Sequence, residues 1–225
     1  MKLFSKLFKI KKLEEVEKPH ESQIKPLKNQ SGFDIDVFIE ASRSGDNLIV
    51  EQQLSMGIDV NISDKEGDTA LGEASYYGMV KTVKILLSNQ ANVEQKIRGS
   101  WTALMQASGQ GHLDVVKLLL ENGAKVNCKN SSGLTSLMSA ASKGNAEIVK
   151  LLLANGATVN DIEKDGRTAL MWACVEGNYD VVKLLLEKEA DFRPRDNNWN
   201  KNALEWALSN NHHKIVTILQ EYGAF

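Results

Sequence analysis

The chain has 225 residues, of which 42% are hydrophobic and 25% are charged, a balance typical of a soluble protein with a substantial core. Its net charge of −2 hides an asymmetry: residues 1–33 hold eight Lys and four Glu, leaving 19 of the 27 basic and 25 of the 29 acidic residues for the rest. This acidic remainder argues against nucleic acid as a partner, and no apolar run is long enough to predict a membrane span.

The first 16 residues predict a basic amphipathic helix. Its apolar side holds Leu3, Phe4, Leu7 and Phe8, and its basic side includes Lys2, Lys6 and Lys9. Lysines interrupt the apolar residues too often for a secretory signal. Two interpretations stay open: the helix contacts an anionic membrane through these residues, or it docks on the first of the repeat units described below or frays. Residues 17–33 are polar, contain two prolines and predict a flexible linker.

From residue 34 onward, one pattern recurs, and in its clearest part the period is 33 residues. The Thr column holds Thr69, Thr102, Thr135 and Thr168, the Leu column Leu71, Leu104, Leu137 and Leu170, and the Gly column Gly78, Gly111, Gly144 and Gly177. Several columns that share one fixed period identify an internal repeat, which is the signature of a solenoid or another stacked architecture.

One unit, from Trp101 to Asn127, can be interpreted physically. Thr102 is suited to cap a first helix that ends at Gly111. A second helix follows, with Val116, Leu119 and Leu120 on its apolar face. Helices this short are not stable alone in water, so the units must stack to fold.

The segment from Asp64 to Gly78, D-K-E-G-D-T-A-L-G-E-A-S-Y-Y-G, resembles the ankyrin repeat, whose motif is D-x-x-G-x-T-P-L-H-x-A-A-x-x-G. The resemblance implies an all-α solenoid of stacked helix-turn-helix units with β-turn loops. The Pro and His of the motif are replaced in every clear unit, by Ala70/Gly72, Ala103/Met105, Ser136/Met138 and Ala169/Met171. The family's His usually makes hydrogen bonds between repeats, and this chain lacks it.

Six units are predicted: an N-terminal cap at 34–63, clear repeats at 64–96, 97–129, 130–162 and 163–195, and a C-terminal cap at 196–225. Gln53 replaces a core Leu in the first unit, as expected for a repeat with one face in water. The last unit slips by one residue, which places an insertion near Phe192–Asn198, where a turn tolerates it.

No catalytic constellation is found, so we predict no catalytic residue, metal, cofactor or small-molecule substrate. His212 and His213 are adjacent, and adjacent helix positions point about 100° apart, which does not suit chelation. Cys174 occupies a column of small residues and has no evident base. With Cys128 as the second and unrelated cysteine, the chain is expected to stay reduced in the cytoplasm, at the inner membrane face if its N-terminal helix binds lipid.

Aromatic residues mark the candidate binding surface. All four tryptophans fall in the turn or first helix of their units, and two tyrosines end another first helix: Trp101, Trp172, Trp199, Trp206, Tyr76 and Tyr77. The resemblance implies that this half of each unit lines a concave groove that binds proteins, where large aromatics are the usual anchors. Trp172 and Trp206 share a column and should be stacked neighbours. With Trp199 they form an exposed patch, or else they pack between repeats in place of the missing His.

Charged turn tips would surround this patch with a polar rim formed by Lys65, Glu66, Lys164 and Arg167. We therefore expect a non-enzymatic scaffold or adaptor that binds a protein partner in the groove. Two alternatives stay open, an inhibitor or immunity-type protein that occludes an enzyme or toxin and a membrane-anchored spacer. Exposed aromatics on one face favour partner binding, and a bland charged groove favours the spacer.

Overall fold

The computed structural model describes residues 34–225, and every structural statement below concerns this part of the chain. The predicted amphipathic helix of residues 1–16, its membrane-contact residues and the linker at 17–33 lie outside the described residues. The described part forms twelve α-helices in six pairs: α1 Ile35–Ser44 with α2 Asn47–Ser55, α3 Ala70–Tyr76 with α4 Val80–Ser88, α5 Ala103–Gln110 with α6 Leu113–Glu121, α7 Ser136–Lys143 with α8 Ala146–Ala154, α9 Ala169–Glu176 with α10 Tyr179–Glu187, and α11 Ala203–Ser209 with α12 His213–Glu221. The predicted all-α solenoid of stacked helix pairs is confirmed.

The first helices begin and end where the repeat pattern predicts. The Thr102 hydroxyl accepts a hydrogen bond from the Met105 amide, and the Thr residues of the other clear repeats cap their helices in the same way. Asn202 takes this role in the last unit, where Glu205 completes a capping box. Gly111 ends α5 with φ at 88°, in the left-handed region that favours glycine.

The core runs continuously through the stack. In the last five units each second helix contributes a fully buried Leu and each first helix a fully buried Ala: Leu86, Leu119, Leu152, Leu185 and Leu219, with Ala74, Ala107, Ala140, Ala173 and Ala207. Because their contact residues are small, neighbouring first helices pack more closely than neighbouring second helices do. The stack therefore curves toward the first helices and the turns, which form its concave side.

One set of hydrogen bonds between repeats comes from the residue that follows the helix-ending glycine. His112 Nε2 donates to the Tyr76 carbonyl oxygen at 2.9 Å, and Asn145 Nδ2 donates to that of Ser108 at 3.1 Å. Asn178 Nδ2 continues this column on the next unit, where it donates to the Ala141 carbonyl oxygen at 2.8 Å. This column compensates for the motif His that the chain lacks, and sequence analysis had not identified it.

The loops after the second helices are also joined from repeat to repeat. Asn61, Asn127 and Asn160 accept hydrogen bonds through Oδ1 from backbone amides 31 residues further along the chain, at 2.6–2.9 Å. Glu94 occupies the same column and accepts from the Lys125 amide at 2.9 Å. Each loop is therefore completed by the repeat that follows it.

The turns before the first helices form a third ladder. The turn of the fifth unit closes with a bond from the Glu163 amide to the Arg167 carbonyl oxygen, whereas that of the sixth runs from Asp196 to Lys201 and is one residue longer. The extra residue of the last unit thus lies inside this turn. The Asn197 amide donates to the Asp165 carbonyl oxygen at 2.8 Å, which fixes the long turn on its neighbour.

Candidate functional site

The concave side displays the predicted site residues to very different degrees. Lys65, Glu66 and Lys164 are exposed at turn tips, as expected for a polar rim, and Trp199 is 46% exposed in the last turn. Trp101, Tyr76 and Tyr77 are half-buried. The structure thus leaves aromatic surface at both ends of the groove, with the tyrosine pair toward the N-terminal end and Trp199 at the C-terminal end.

Trp172 and Trp206 are not part of an exposed patch. They are only 1% and 8% exposed, so the patch expected from them is wrong and the alternative, packing between repeats, describes both. Arg167 was expected at the polar rim, but it is 1% exposed, and its guanidinium carbon lies 4.7 Å from the Trp172 ring and 5.3 Å from the Trp206 ring. Two stacked units are needed to bury it, because Trp206 comes from the repeat after its own.

Arg167 and three tryptophans form one cluster, which we call the Arg167 cage: Arg167, Trp172, Trp199 and Trp206. The guanidinium carbon lies 5.0 Å from the Trp199 ring centroid, within the range of a cation–π interaction. Trp199 and Trp206 meet edge to face at 5.5 Å. The cage therefore consists of a buried cation, two buried rings and one ring that remains in contact with solvent.

Asp196 stabilises the cage through hydrogen bonds to Trp206 and to the long turn. This carboxylate is 2% exposed and its Oδ2 accepts from Trp206 Nε1 at 2.6 Å. Its Oδ1 accepts from the backbone amides of Asn198 and Trp199 at 3.0 and 2.7 Å. Both oxygens are therefore engaged, and they fix the Trp206 ring and the start of the long turn. The repeat motif places Asp at this turn position, so the sequence carried a signal that could have identified Asp196.

Two buried side chains of the fifth turn have polar atoms without a hydrogen-bond partner within the described part of the chain. Arg167 Nε and Nη2 have no acceptor, and Glu163 Oε1 has no donor. Glu163 Oε2 accepts from the Asp165 amide at 2.9 Å. Burial raises the pKa of the Glu163 carboxyl, and backbone hydrogen bonds and the nearby Arg167 charge oppose that rise. Glu163 and Arg167 form no ion pair within 4.0 Å.

A second polar cluster lies near the N-terminal end of the groove. Glu73 is 8% exposed and accepts from Arg43 Nε at 2.7 Å, while the Arg43 guanidinium carbon lies 5.9 Å from the Tyr77 ring. Tyr76 and Tyr77 meet edge to face at 5.0 Å. Burial raises the pKa of the Glu73 carboxyl, and the hydrogen bond from Arg43 opposes the rise. Arg43 and Glu73 were not identified from sequence, because charged residues of single units carry no periodic signal.

Residues 34–225 show neither a membrane span nor a metal-binding cluster. No helix there is long and apolar enough to cross a membrane, and no group of three or more His, Cys, Asp or Glu side chains is arranged to hold a metal ion. Both cysteines are free thiols. Cys174 is completely buried in the first-helix layer, which raises the pKa of its thiol, so it packs as a small apolar residue.

Comparison with known proteins agrees with this architecture. A family model described as "Ankyrin repeats (3 copies)" matches two stretches, residues 38–130 and 137–225, which together make up most of the chain. The search of curated proteins gave no match. The first match begins inside α1 and the second ends at the last residue, so the units at both ends of the stack fall within the family pattern.

Proposed function

Because the chain belongs to the ankyrin repeat family, whose repeats are generally protein–protein interaction modules, we propose that it is a non-enzymatic adaptor that binds a protein partner in its concave groove. The observation that carries the proposal is Trp199. Trp199 is 46% exposed in the last turn, and its backbone amide donates to Asp196. An exposed aromatic side chain on a backbone that is held in place is a typical interface anchor.

The groove is built to bind without large rearrangement. Its turns are bonded to one another and its first helices pack closely, so association orders little of the scaffold itself. Tyr76 and Tyr77 offer a second aromatic surface several repeats from Trp199. The exposed turn tips at Lys65, Glu66 and Lys164 supply the rim, where charges mainly affect association rate and specificity.

The test is affinity capture from the native lysate with three forms of the chain: wild type, Trp199→Ala and Tyr179→Ala. Tyr179 is the matched control, since it is 38% exposed but lies at the start of α10 in the second-helix layer. We expect a partner whose recovery falls about tenfold or more with Trp199→Ala, as for an anchor residue, and stays unchanged with Tyr179→Ala. Equal recovery by all three forms contradicts the groove assignment.

The captured partner also separates the alternatives. An enzyme or toxin that loses its activity when bound to the chain identifies an inhibitor or immunity-type protein that uses the same groove. A membrane-anchored spacer predicts that no partner depends on Trp199. Since ankyrin-type folds accept unrelated partners, the fold alone does not distinguish the adaptor, the inhibitor and the spacer.

We further propose that the chain is cytoplasmic and that residues 1–16 hold it at anionic membrane surfaces. The support is the sequence pattern of alternating apolar residues and lysines. Cosedimentation of the full chain with vesicles of phosphatidylserine and phosphatidylcholine tests this. Binding should fall with rising salt and be lost when Lys2, Lys6 and Lys9 are changed to Glu. Equal sedimentation of the triple variant would show that these lysines anchor nothing.

A further inference from the structure

We propose that Arg167 is the centre of a carboxylate-binding site, covered by Trp199, that receives an acidic side chain of the protein partner. The inference rests on the proposed function in that the carboxylate belongs to a protein bound in the groove. It assigns a specific chemistry to the C-terminal end of that groove, where Trp199 is the exposed ring of the Arg167 cage.

The first argument is the unpaired edge of the guanidinium. Arg167 is 1% exposed, yet its Nε–H and Nη2–H groups have no acceptor among the described residues. These two donors point from the same edge of the planar group and match the two oxygens of a carboxylate. The three tryptophan faces attract the positive charge, but they offer no oxygen or nitrogen acceptor in line with the N–H bonds. Buried donors left in this state are unusual in native proteins.

The second argument is that neighbouring carboxylates do not fill this edge. Both oxygens of Asp196 accept hydrogen bonds from Trp206 and from the long turn. Glu163 uses Oε2 for the Asp165 amide, and its Oε1 is itself without a donor. A carboxylate brought by another molecule would therefore satisfy Arg167 without taking an acceptor away from any other described group.

The third argument is access. Trp172 and Trp206 are buried, whereas Trp199 is the cage ring that faces solvent. It lies in the turn that is one residue longer than its counterparts, next to Asn200 in a left-handed conformation with φ at 52°. The backbone on its N-terminal side is held by Asp196 and Asn197. Rotation of the Trp199 side chain therefore uncovers the guanidinium while the turn and helix α11 keep their positions.

The surrounding charges favour a carboxylate over a more highly charged anion. Exposed Lys164 on the same turn and Lys201, whose Nζ lies 4.8 Å from the Trp206 ring, attract acidic segments. Glu163, buried beside Arg167, repels a phosphate dianion more than a carboxylate monoanion. The site thus suits the side chain of Asp or Glu in an acidic stretch of the partner.

The test follows the Arg167 Nε–H signal by NMR spectroscopy in the full chain. Because this signal reports on Arg167 alone, peptide binding at the basic N-terminal segment does not interfere with the measurement. Three probes are titrated to millimolar concentration: N-acetyl-Gly-Glu-Gly-amide and the same peptide with Gln or phosphoserine in place of Glu. We expect the Glu peptide to shift the Arg167 and Trp199 side-chain signals saturably and the Gln peptide to leave both in place. Trp199→Ala, which removes the cover, should bind the Glu peptide more tightly.

Two variants complete the test, with binding of the Glu peptide followed through Trp indole signals. Arg167→Lys keeps the charge but loses the paired donors, and should weaken binding about tenfold. Lys183→Met, which removes an exposed cation of helix α10 in the second-helix layer, is the matched control and should change binding about twofold at most. No shift of the Arg167 signal even in Trp199→Ala overturns the proposal, as does equal binding by Arg167→Lys. Arg167-dependent binding that is tighter for the phosphoserine peptide overturns the carboxylate assignment.

These outcomes separate the site from the adaptor function. If the Glu peptide shifts Arg167 but no captured partner depends on Trp199, the carboxylate site stands and the adaptor proposal falls. If a partner depends on Trp199 and binds Arg167→Lys unchanged, the adaptor stands and the carboxylate site falls.

Discussion

At the scale of single residues, Arg167 contributes less to stability than its burial suggests. Its three ring contacts stabilise the fold by about 2 kcal/mol or more, whereas two buried donors without acceptors cost about 1–3 kcal/mol each. We predict that Arg167→Met changes the free energy of unfolding by only about 1 kcal/mol in either direction. Urea unfolding followed by circular dichroism measures this change.

Trp172 gives the contrasting case in the same cage. It is a fully buried large side chain, so Trp172→Ala should lower the free energy of unfolding by about 3–5 kcal/mol. If Arg167→Met destabilises the chain as much as Trp172→Ala does, the guanidinium is a structural group and its unpaired edge is not held for a ligand.

Glu163 makes stability depend on pH. Burial raises its pKa in the folded chain above that in the unfolded chain, so the folded state binds a proton that the unfolded state has already released. This contribution is present at low pH and is lost as pH rises from the unfolded pKa through the folded pKa. We predict that Glu163→Gln, which keeps an acceptor for the Asp165 amide, gains stability relative to wild type as pH rises from about 4 to about 7.

The measurement is the urea midpoint of each form across this pH range. Glu66→Gln, at an exposed turn tip, serves as the matched control and should leave the profile of the wild type almost unchanged. A parallel profile for Glu163→Gln would mean that Glu163 has the same proton affinity in both states.

The residue scale is also where prediction from sequence fails most. The column that buries Trp172 and Trp206 holds Glu73, Gln106 and Ser139 in other units, so periodicity places it in the first helix without fixing its burial. Whether a residue in this column is buried depends on which side chains pack against it, including those of the next repeat. For Trp172 that environment includes Arg167 of its own turn, which also lies against Trp199 and Trp206 of the last unit.

At the scale of elements, the junction between repeats depends on the glycine that follows the first helix in each of the first five units. Gly144 has φ at 74°, and a Cβ there would lie 2.7 Å from Asn178 Oδ1, the side chain that bonds to the end of α7. Gly156 has a similar φ of 83° but open space around it. Replacing Gly156 with Ala should cost about 1–2 kcal/mol, the strain of the left-handed conformation alone, and Gly144→Ala should cost more.

A double-mutant cycle isolates the extra cost. In an Asn178→Ala background the clash is relieved, so the difference between Gly144→Ala and Gly156→Ala should shrink toward zero. A difference of the same size in both backgrounds would show that the Asn178 side chain is not what Gly144 accommodates. Thermal or urea unfolding of the six forms gives all the required values.

Local rules predicted the helices themselves well, since Thr caps and terminal glycines act within a few residues of sequence. The bonds of Asn145 and Asn178 join residues 36 or 37 positions apart, and nothing local marks them as donors. The replaced motif His suggested weaker junctions, but a neighbouring column supplies equivalent bonds. A junction is a property of two stacked units, and a motif describes only one.

At the scale of the whole molecule, stability should behave as a sum over neighbouring units. Deleting residues 196–225 removes α11 and α12 and uncovers one face of α9 and α10. We predict that the shortened chain keeps its helical signal per residue but unfolds at lower urea, with a shallower dependence on urea because less surface is buried. Complete loss of helical signal would show instead that the stack folds as one indivisible unit.

The fold was accessible from sequence for the same reason that the Arg167 cage was not. With a fixed period, each repeat places a similar residue at the same core position. Several repeats therefore give independent evidence for which columns are buried. The Arg167 cage occurs once, at the junction with the only described turn that departs from the period by one residue, and its parts come from two units. A feature that breaks the repeat cannot be found by averaging over the repeat.

The ladder of loop asparagines has a consequence for synthesis on the ribosome. The side chains of Asn61, Asn127 and Asn160 each accept a hydrogen bond from a backbone amide that is synthesised 31 residues later. A unit that has just left the exit tunnel therefore has its core residues but not the donor that completes its loop. Its loop hydrogen bonds form only as the following unit emerges. The nascent chain should therefore fold from the N-terminal end with a delay of one repeat, and the last unit to emerge should always lack these bonds.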